Sequence, residues 1–525
     1  MAQDAKNGPN NARMKIFSVP LLTLKRIKCH LNANRLTLNK TYMKRFLAAC
    51  VLLAGMLIGH AQTTETPKLK FHNGRFRVVQ FTDFHWEYNT PAAKLNKQMV
   101  LDVVQRERPD LCMLTGDVVT ARPAREGWLE VRALFEEAGV PFAFVSGNHD
   151  PEFMPLDSIF SILSASKLFV GKPGPSELHG TGNYALPIFN AGGVKPQAVI
   201  YCFDSGMYTD NQADSYYDWL HLDQINWYTE QSNKFRSGNA NRPLPALAYF
   251  HICVPEYRAL LGTPALKGHS GEDCCPADLN SGFFTAAYAQ NDIMGMFVGH
   301  DHSNDFIGLY KGIALGYGRQ SGVMGRDKNT PLGARVVELK EGKKQFDTWI
   351  SDINGPGLAF HYPLGTTSDD EQHMTFLPAQ KAKAGKHGVR YTYYEGKFKH
   401  TDHIMASGEK KAEGTLDNIS IAPSLGKDHF GYIFQTLFMA PERGIYKFTV
   451  QSDDGALLLI DGVKVADNDG SHSLKAAAGY VAIEKGLHRM ELRYFDDYMG
   501  ETLSVKVASL EIDEQPLPAN LLYQP

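Results

Sequence analysis

The chain has 525 residues and a formal net charge of −3, which allows two or three domains and lacks the basic field that nucleic-acid binding needs. Hydrophobic residues make up 43% and charged residues 21%, which excludes a disordered or membrane-embedded chain. The N-terminus is basic, with Asp4 the only acid before Met43-Lys44-Arg45. An apolar run over 46–58 follows, closed by Gly59-His60-Ala61, which is the layout of a secretory signal and is too short for a transmembrane helix. Cys50 precedes most of that run, so lipidation is not expected. We therefore expect Met43 to be the start, 1–42 an upstream extension, and the protein to be exported (periplasmic, cell-surface or secreted) without residues 1–61 and with no transmembrane span.

Residues 76–82 predict a strand that ends in Asp83-Phe84-His85. A helix is expected over 92–108, an apolar strand over 111–115 ending in Gly116-Asp117, and a second helix over 126–138. Residues 140–144 predict a buried strand leading into Gly147-Asn148-His149-Asp150, where Gly147 permits a sharp turn. Strands alternating with helices at this spacing predict an α/β sheet with covered faces, and in such sheets ligand groups gather beyond the strand ends. Residues 151–195 are rich in Pro and Gly and predict loop. A strand at 198–203, an amphipathic helix at 224–234 and a strand at 246–250 ending in His251 come next. Residues 256–282 lack a period and predict a substrate-facing loop. The apolar run 294–298 ends in Gly299-His300-Asp301-His302, with further strands near 306–310 and 335–339.

Residues 352–388 carry Gly, Pro, Ser and charge without a period and predict a linker between a domain at 62–351 and one at 389–525. Short strands at 391–394, 445–450, 456–460, 480–483 and 490–494 make the second domain an all-β sandwich. Five cysteines remain beyond Ala61, and their odd count and irregular spacing give no disulfide framework. Cys112, Cys202 and Cys253 lie in apolar runs and read as buried thiols, whereas Cys274-Cys275 sits in a polar loop, oxidised or free.

Collected in order, the strand-end residues are Asp83, His85, Asp117, Asn148, His149, His251, His300 and His302. Any one alone reads as a turn residue. Together their carboxylate, imidazole and amide groups suit two divalent or trivalent ions, with Fe, Zn and Mn not distinguished. An Asp shared between ions about 3.5–4 Å apart would bridge them, and water held there loses its proton near neutral pH.

These motifs resemble the calcineurin-like metallophosphoesterases: Asp-x-His, Gly-Asp, Gly-Asn-His-Asp, a lone His and Gly-His-x-His occur here in that family's order. The resemblance implies an α/β metallophosphoesterase sandwich, sheets flanked by helices, that acts on phosphate esters. One ion would take Asp83, His85, Asp117 and His302, and the other Asp117, Asn148, His251 and His300. His149 would stabilise the transition state or protonate the leaving oxygen, and Asp150 would hold the His149 imidazole in its tautomer. Tyr249-Phe250-His251, Pro255-Glu256-Tyr257 and Gly316-Tyr317-Gly318-Arg319 resemble the branch related to purple acid phosphatases. Purple enzymes carry Tyr three residues after the bridging Asp; Thr120 stands there in this chain, so no tyrosinate-to-iron colour is expected.

Ser452-Asp453-Asp454-Gly455, Leu459-Ile460-Asp461-Gly462 and Asp467-Asn468-Asp469-Gly470 resemble the protective-antigen-type β-sandwich. In its sugar-binding members adjacent aspartates hold calcium, a role that falls on Asp453 and Asp454, although Asp before Gly also simply shapes turns. The leading expectation is thus a two-metal phosphoesterase with a docking sandwich. Two others stay open: a glycan- or surface-binding protein with a vestigial phosphoesterase domain, and diesterase rather than monoesterase action.

Overall fold

A computed structural model describes residues 67–325, 330–424 and 428–525, all within the unit Glu65–Pro525. The expected signal and upstream extension lie outside the described residues. β1 (Arg75–Phe81), β2 (Leu111–Thr115) and β3 (Phe142–Val145) run parallel. All residues of β2 and β3 are buried, as their unbroken apolar sequences require of strands covered on both faces. Between them run α1 (Pro91–Glu107) and α2 (Ala124–Ala138). The Thr90 side chain accepts the Ala93 amide at the start of α1, with Pro91 at the first helical position. Gly139, with φ of 69°, ends α2 in the left-handed conformation that glycine favours.

Where loop is predicted over 151–195, the structure has two short helices, α3 (Asp150–Phe153) and α4 (Leu156–Leu163), and an edge strand, β4 (Tyr184–Phe189). Pro155 separates the helices, so neither is long enough to display a period. Then come β5 (Pro196–Cys202), α5 (Leu222–Gly238), β6 (Ala246–Tyr249), α6 (Phe283–Gln290), β7 (Ile293–Val298), β8 (Ile307–Tyr310) and β9 (Ile313–Tyr317). The chain returns through β10 (Gly333–Lys340) and β11 (Phe346–Asp352).

Two sheets result. One has the order β11-β10-β1-β2-β3 at its centre, and the other β4-β5-β6-β7-β9-β8. Alternate residues of β5 show how the layers are built. Ile200 and Cys202 join the core shared with Val79 and Phe81 of the first sheet and with Trp128 and Phe135 of α2. Val199 and Tyr201 face the other way, into a core with Ile225 and Tyr228 of α5 and Phe283 of α6.

The segment expected to be a linker is partly sheet. β12 (Gly355–Pro356) and β13 (Phe360–Tyr362) both pair with β11, and β14 (Thr366–Thr367) pairs with β13. Strands of two or three residues are too short to leave a sequence period. Further on, the Leu377 amide donates to Ala482 and the Leu377 carbonyl accepts from Glu484. The chain thus passes from the first sheet directly onto the C-terminal domain. That domain is an all-β sandwich. One sheet runs β16 (Glu409–Leu416), β15 (Val389–Glu395), β17 (Phe430–Ala440), β22 (Gly486–Asp496), β19 (Ala456–Ile460), β20 (Val463–Asn468), and the other runs β21 (Lys475–Ile483), β18 (Gly444–Asp453), β23 (Thr502–Ala508). Phe434, Phe448, Leu458 and Leu492 fill the space between them.

Candidate metal centre

The predicted ligands come from the C-terminal ends of parallel strands in both sheets. Asp83 and His85 follow β1, Asp117 follows β2, Asn148 follows β3, His251 follows β6, and His300 and His302 follow β7. Two clusters form, Asp83–His85–His302 and Asp117–His251–His300, and within each the ligand atoms lie within 4.8 Å of one another. His85 Nε2 is 3.0 Å from His302 Nε2, and His302 Nε2 is 3.6 Å from Asp83 Oδ1. His251 Nε2 lies 3.4 Å from Asp117 and 3.9 Å from Asp83, so the clusters abut.

The motif glycines make this crowding possible. A Cβ on Gly147 would collide with the Asp117 carboxylate, and one on Gly299 with Thr82 and Asp83. Four of the predicted ligands, Asp83, His85, Asp117 and His300, have φ between 45° and 78°. Non-glycine residues are uncommon there and persist where the surroundings over-determine them, as at functional sites.

Several polar atoms are left aimed at the centre. His251 is fully buried; its Nδ1 donates to the Thr115 carbonyl at 2.7 Å, which leaves Nε2 without a hydrogen-bond partner. The Asn148 amide donates from Nδ2 to Tyr208 Oη at 3.2 Å, and its buried Oδ1 is likewise unpartnered. Buried polar atoms without a hydrogen bond are costly, and metal coordination answers the need. The residues present therefore fit two metal ions. Electrostatics agree. Burial would lower His251, but the Asp117 and Asp83 carboxylates push it up to about 10. Burial would raise Asp117, but the His251 imidazole holds it well below the carboxylate range. His300 is pushed down to about 3 by burial and by His251, and His85 is lowered by burial against the pull of Asp83 and Asp117. Two buried carboxylates call for compensating positive charge, and a bound metal would take the place of the His251 proton.

One expected role does not fit. The carboxylate of Asp150 is buried and accepts the backbone amides of Asp117 (2.9 Å), Val118 (2.9 Å), Val119 (3.3 Å) and Gly147 (2.8 Å). It ties the loops after β2 and β3 together instead of orienting His149. The residue facing His149 Nδ1, at 3.0 Å, is Glu152. Its signal is the i,i+3 spacing that places both side chains on one face of a helical turn. His149 itself is half-exposed, with its ring 6.1 Å from that of His85. Thr120, at the position where purple enzymes carry Tyr, lies 3.1 Å from His85 Nδ1. Sequence reasoning also missed Tyr208 and Tyr217; the Tyr217 ring packs edge-on against His300 at 4.5 Å. They arrive from a loop with no local pattern to mark them.

Among the described residues the five cysteines are free, and all but Cys275 are buried. In the C-terminal domain, Asp454 accepts the amides of His472 and Asp497, both at 2.8 Å, and so shapes turns. Asp453 is half-buried and its carbonyl accepts from Tyr494 Oη at 2.6 Å. Asp496, which the sequence does not flag, is fully buried and its carboxylate oxygens lack a well-formed hydrogen bond. Burial and the nearby charges of Asp454, Glu501 and Asp428 push it up to about 7.

Residues 76–304 match the family of calcineurin-like phosphoesterases, and residues 385–520 match the PA14 domain. A protein of Arabidopsis thaliana named probable inactive purple acid phosphatase 29 is 31% identical over 321 residues, covering 55% of this chain and 82% of that one. The Arabidopsis protein named probable inactive purple acid phosphatase 28 is 30% identical, covering 54% of this chain and 79% of its own length. A crystal structure of a dimetal phosphatase from Danio rerio aligns at 14% identity with a TM-score of 0.38, over 54% of this chain and 96% of that one.

Proposed function

We propose, for a chain that belongs to the calcineurin-like phosphoesterases and carries a C-terminal PA14 domain, that it is an exported hydrolase of phosphate esters. The observation that carries this reading is the pair of abutting His/Asp clusters, together with the buried His251 Nε2 and Asn148 Oδ1 that lack hydrogen-bond partners. Asp83, His85, Asp117 and His302 would hold one ion, and Asp117, Asn148, His251 and His300 the other. Two such ions supply, when bound, the charge that activates water and neutralises a phosphoryl group. With Nδ1 facing Glu152, His149 has Nε2 left to give a proton to the leaving oxygen. Asp150 holds the backbone of Asp117 and Gly147 in register, which keeps the Asp117 carboxylate in place.

Export rests on the signal at 43–61 and on the PA14 domain. In that domain we assign a calcium site to Asp453 and Asp454 and add Asp496, whose buried carboxylate calls for a cation. Calcium there would serve glycan binding, which calorimetry across a glycan panel, with and without calcium, tests.

The decisive experiment compares hydrolysis of p-nitrophenyl phosphate and its bis-ester over a Fe, Zn and Mn series. Asp117→Asn and His149→Ala are expected to abolish or strongly reduce turnover, and unchanged turnover in both would sink the mechanism. The ratio of the two ester rates decides monoesterase against diesterase. A second reading has its own support, since three relatives bear the words "probable inactive" in their names. On that reading the chain is a glycan- or surface-binding protein, and neither ester turns over with any metal although metal still binds. Thr120 in place of Tyr predicts no purple absorption band in iron-loaded protein.

A further inference from the structure

A third metal-competent cluster lies outside the centre described above. His179 Nε2 is 3.2 Å from Asp218 Oδ2, and His221 Nε2 is 2.9 Å from Asp218 Oδ1. The imidazoles stack nearly parallel, with centroids 3.5 Å apart and planes at 18°, so that both Nε2 atoms meet the same carboxylate. All three ligand atoms lie within 4.8 Å of one another. A second carboxylate, Asp223, accepts the His179 amide at 2.7 Å. A divalent cation among the two Nε2 atoms and the Asp218 carboxylate would take the place of the protons they share.

We propose that His179, Asp218 and His221 form a third divalent-metal site, of the two-imidazole, one-carboxylate class that suits zinc, with a fourth position left to water. Its ligands come from two places: His179 from the segment before β4, and Asp218 and His221 from the end of the loop between β5 and α5, with His221 the residue that precedes the helix. The loop of 204–220 is closed near its root, where the Asp218 amide donates to the Met207 carbonyl at 3.0 Å and Tyr208 pairs with Tyr217. It carries the tyrosines that touch the binuclear centre, Tyr208 on Asn148 and Tyr217 on His300. A metal on Asp218 therefore fixes the loop root one residue from Tyr217. Gly206 packs against Asp218 so closely that no side chain fits between them, and the loop root has no slack. The site's occupancy does not depend on the binuclear reading, although its bearing on the tyrosines does.

Trp219 stacks on His221 at 5.2 Å and 17°, which supplies a local reporter. Full-length protein stripped of metal is titrated with Zn2+ while bound zinc and tryptophan fluorescence are read together. Wild type is expected to bind one equivalent more than His179→Ala/His221→Ala, and to show a saturable fluorescence change that both this variant and Trp219→Phe lack. In an Asp117→Asn background, which weakens the binuclear centre, the extra equivalent and the fluorescence change are expected to persist. Equal stoichiometry in wild type and the double variant, with the fluorescence change retained, overturns the proposal. If the double variant unfolds, Asp218→Asn, which keeps shape and both imidazoles, is expected to lose the same equivalent; its retention overturns the proposal as well.

Discussion

His85 and Asp117 show how much of the centre depends on neighbours that bear no metal. Thr120 Oγ1 is the partner of His85 Nδ1, and it fixes which nitrogen faces the site. Partners of this kind typically contribute 10–100-fold in metal affinity, so Thr120→Val is expected to weaken binding at the Asp83–His85–His302 cluster by about that factor. Metal titration by calorimetry reads it. Asp150 and Glu152 sit two residues apart and separate cleanly by experiment. Removing the Asp150 carboxylate strands four amide donors, so Asp150→Ala is expected to cost about 2–3 kcal/mol of stability and to lower activity with it. Glu152→Gln, which removes the charge facing His149 Nδ1, is expected to leave stability unchanged and to lower turnover, and chemical denaturation run beside rate measurements distinguishes the two. At this scale the clustered residues were legible because each lies at the end of an apolar strand, and Asp117, Asn148 and His300 also directly follow a glycine. The role of Asp150 was not, because sequence order next to His149 does not say where its side chain points. Once Gly147 turns the chain, the carboxylate faces back into the backbone of the preceding loop.

Elements were legible in proportion to their length. β2 matches its predicted bounds, and α1 and α2 differ from expectation by one or two residues, because a fully buried five-residue strand or about four helical turns carry their own pattern. α3, β12, β13 and β14 span two to four residues, too few to show a period, and the three strands are placed by pairing with β11 and with one another. One such partnership makes a pH prediction. His361 on β13 faces Asp347 on β11, with His361 Nδ1 2.7 Å from Asp347 Oδ1. Burial would raise Asp347, but His361 and Lys340 hold it below the usual carboxylate value of 3.8. A depressed carboxylate contributes stability above its unfolded value, and that contribution disappears as pH falls through the folded value. His361→Phe is therefore expected to destabilise the protein by about 1–2 kcal/mol near pH 6 and by less near pH 3. Denaturant melts at the two pH values check both the size and the sign.

Across the whole molecule, the connection between the domains is built from pairing instead of slack chain. β13 and β14 extend the first sheet, Leu377 pairs with the sandwich, and Gln345 and Lys343 reach Ser509 and Glu511. Phosphoesterase and PA14 domains are accordingly expected to unfold in one calorimetric transition, with two resolved transitions as the contrary result. Calcium bound by the sandwich would raise that single midpoint, adding about 2.7 kcal/mol when present at 100 times its dissociation constant. A flexible tether would let a docked enzyme sweep the space around its attachment point. Without one, a PA14 domain seated on a surface sets the height and heading of the catalytic mouth. Phosphate esters displayed on spacers of graded length should then be cleaved within a narrow band of lengths, the reach of a fixed arm and not of a leash.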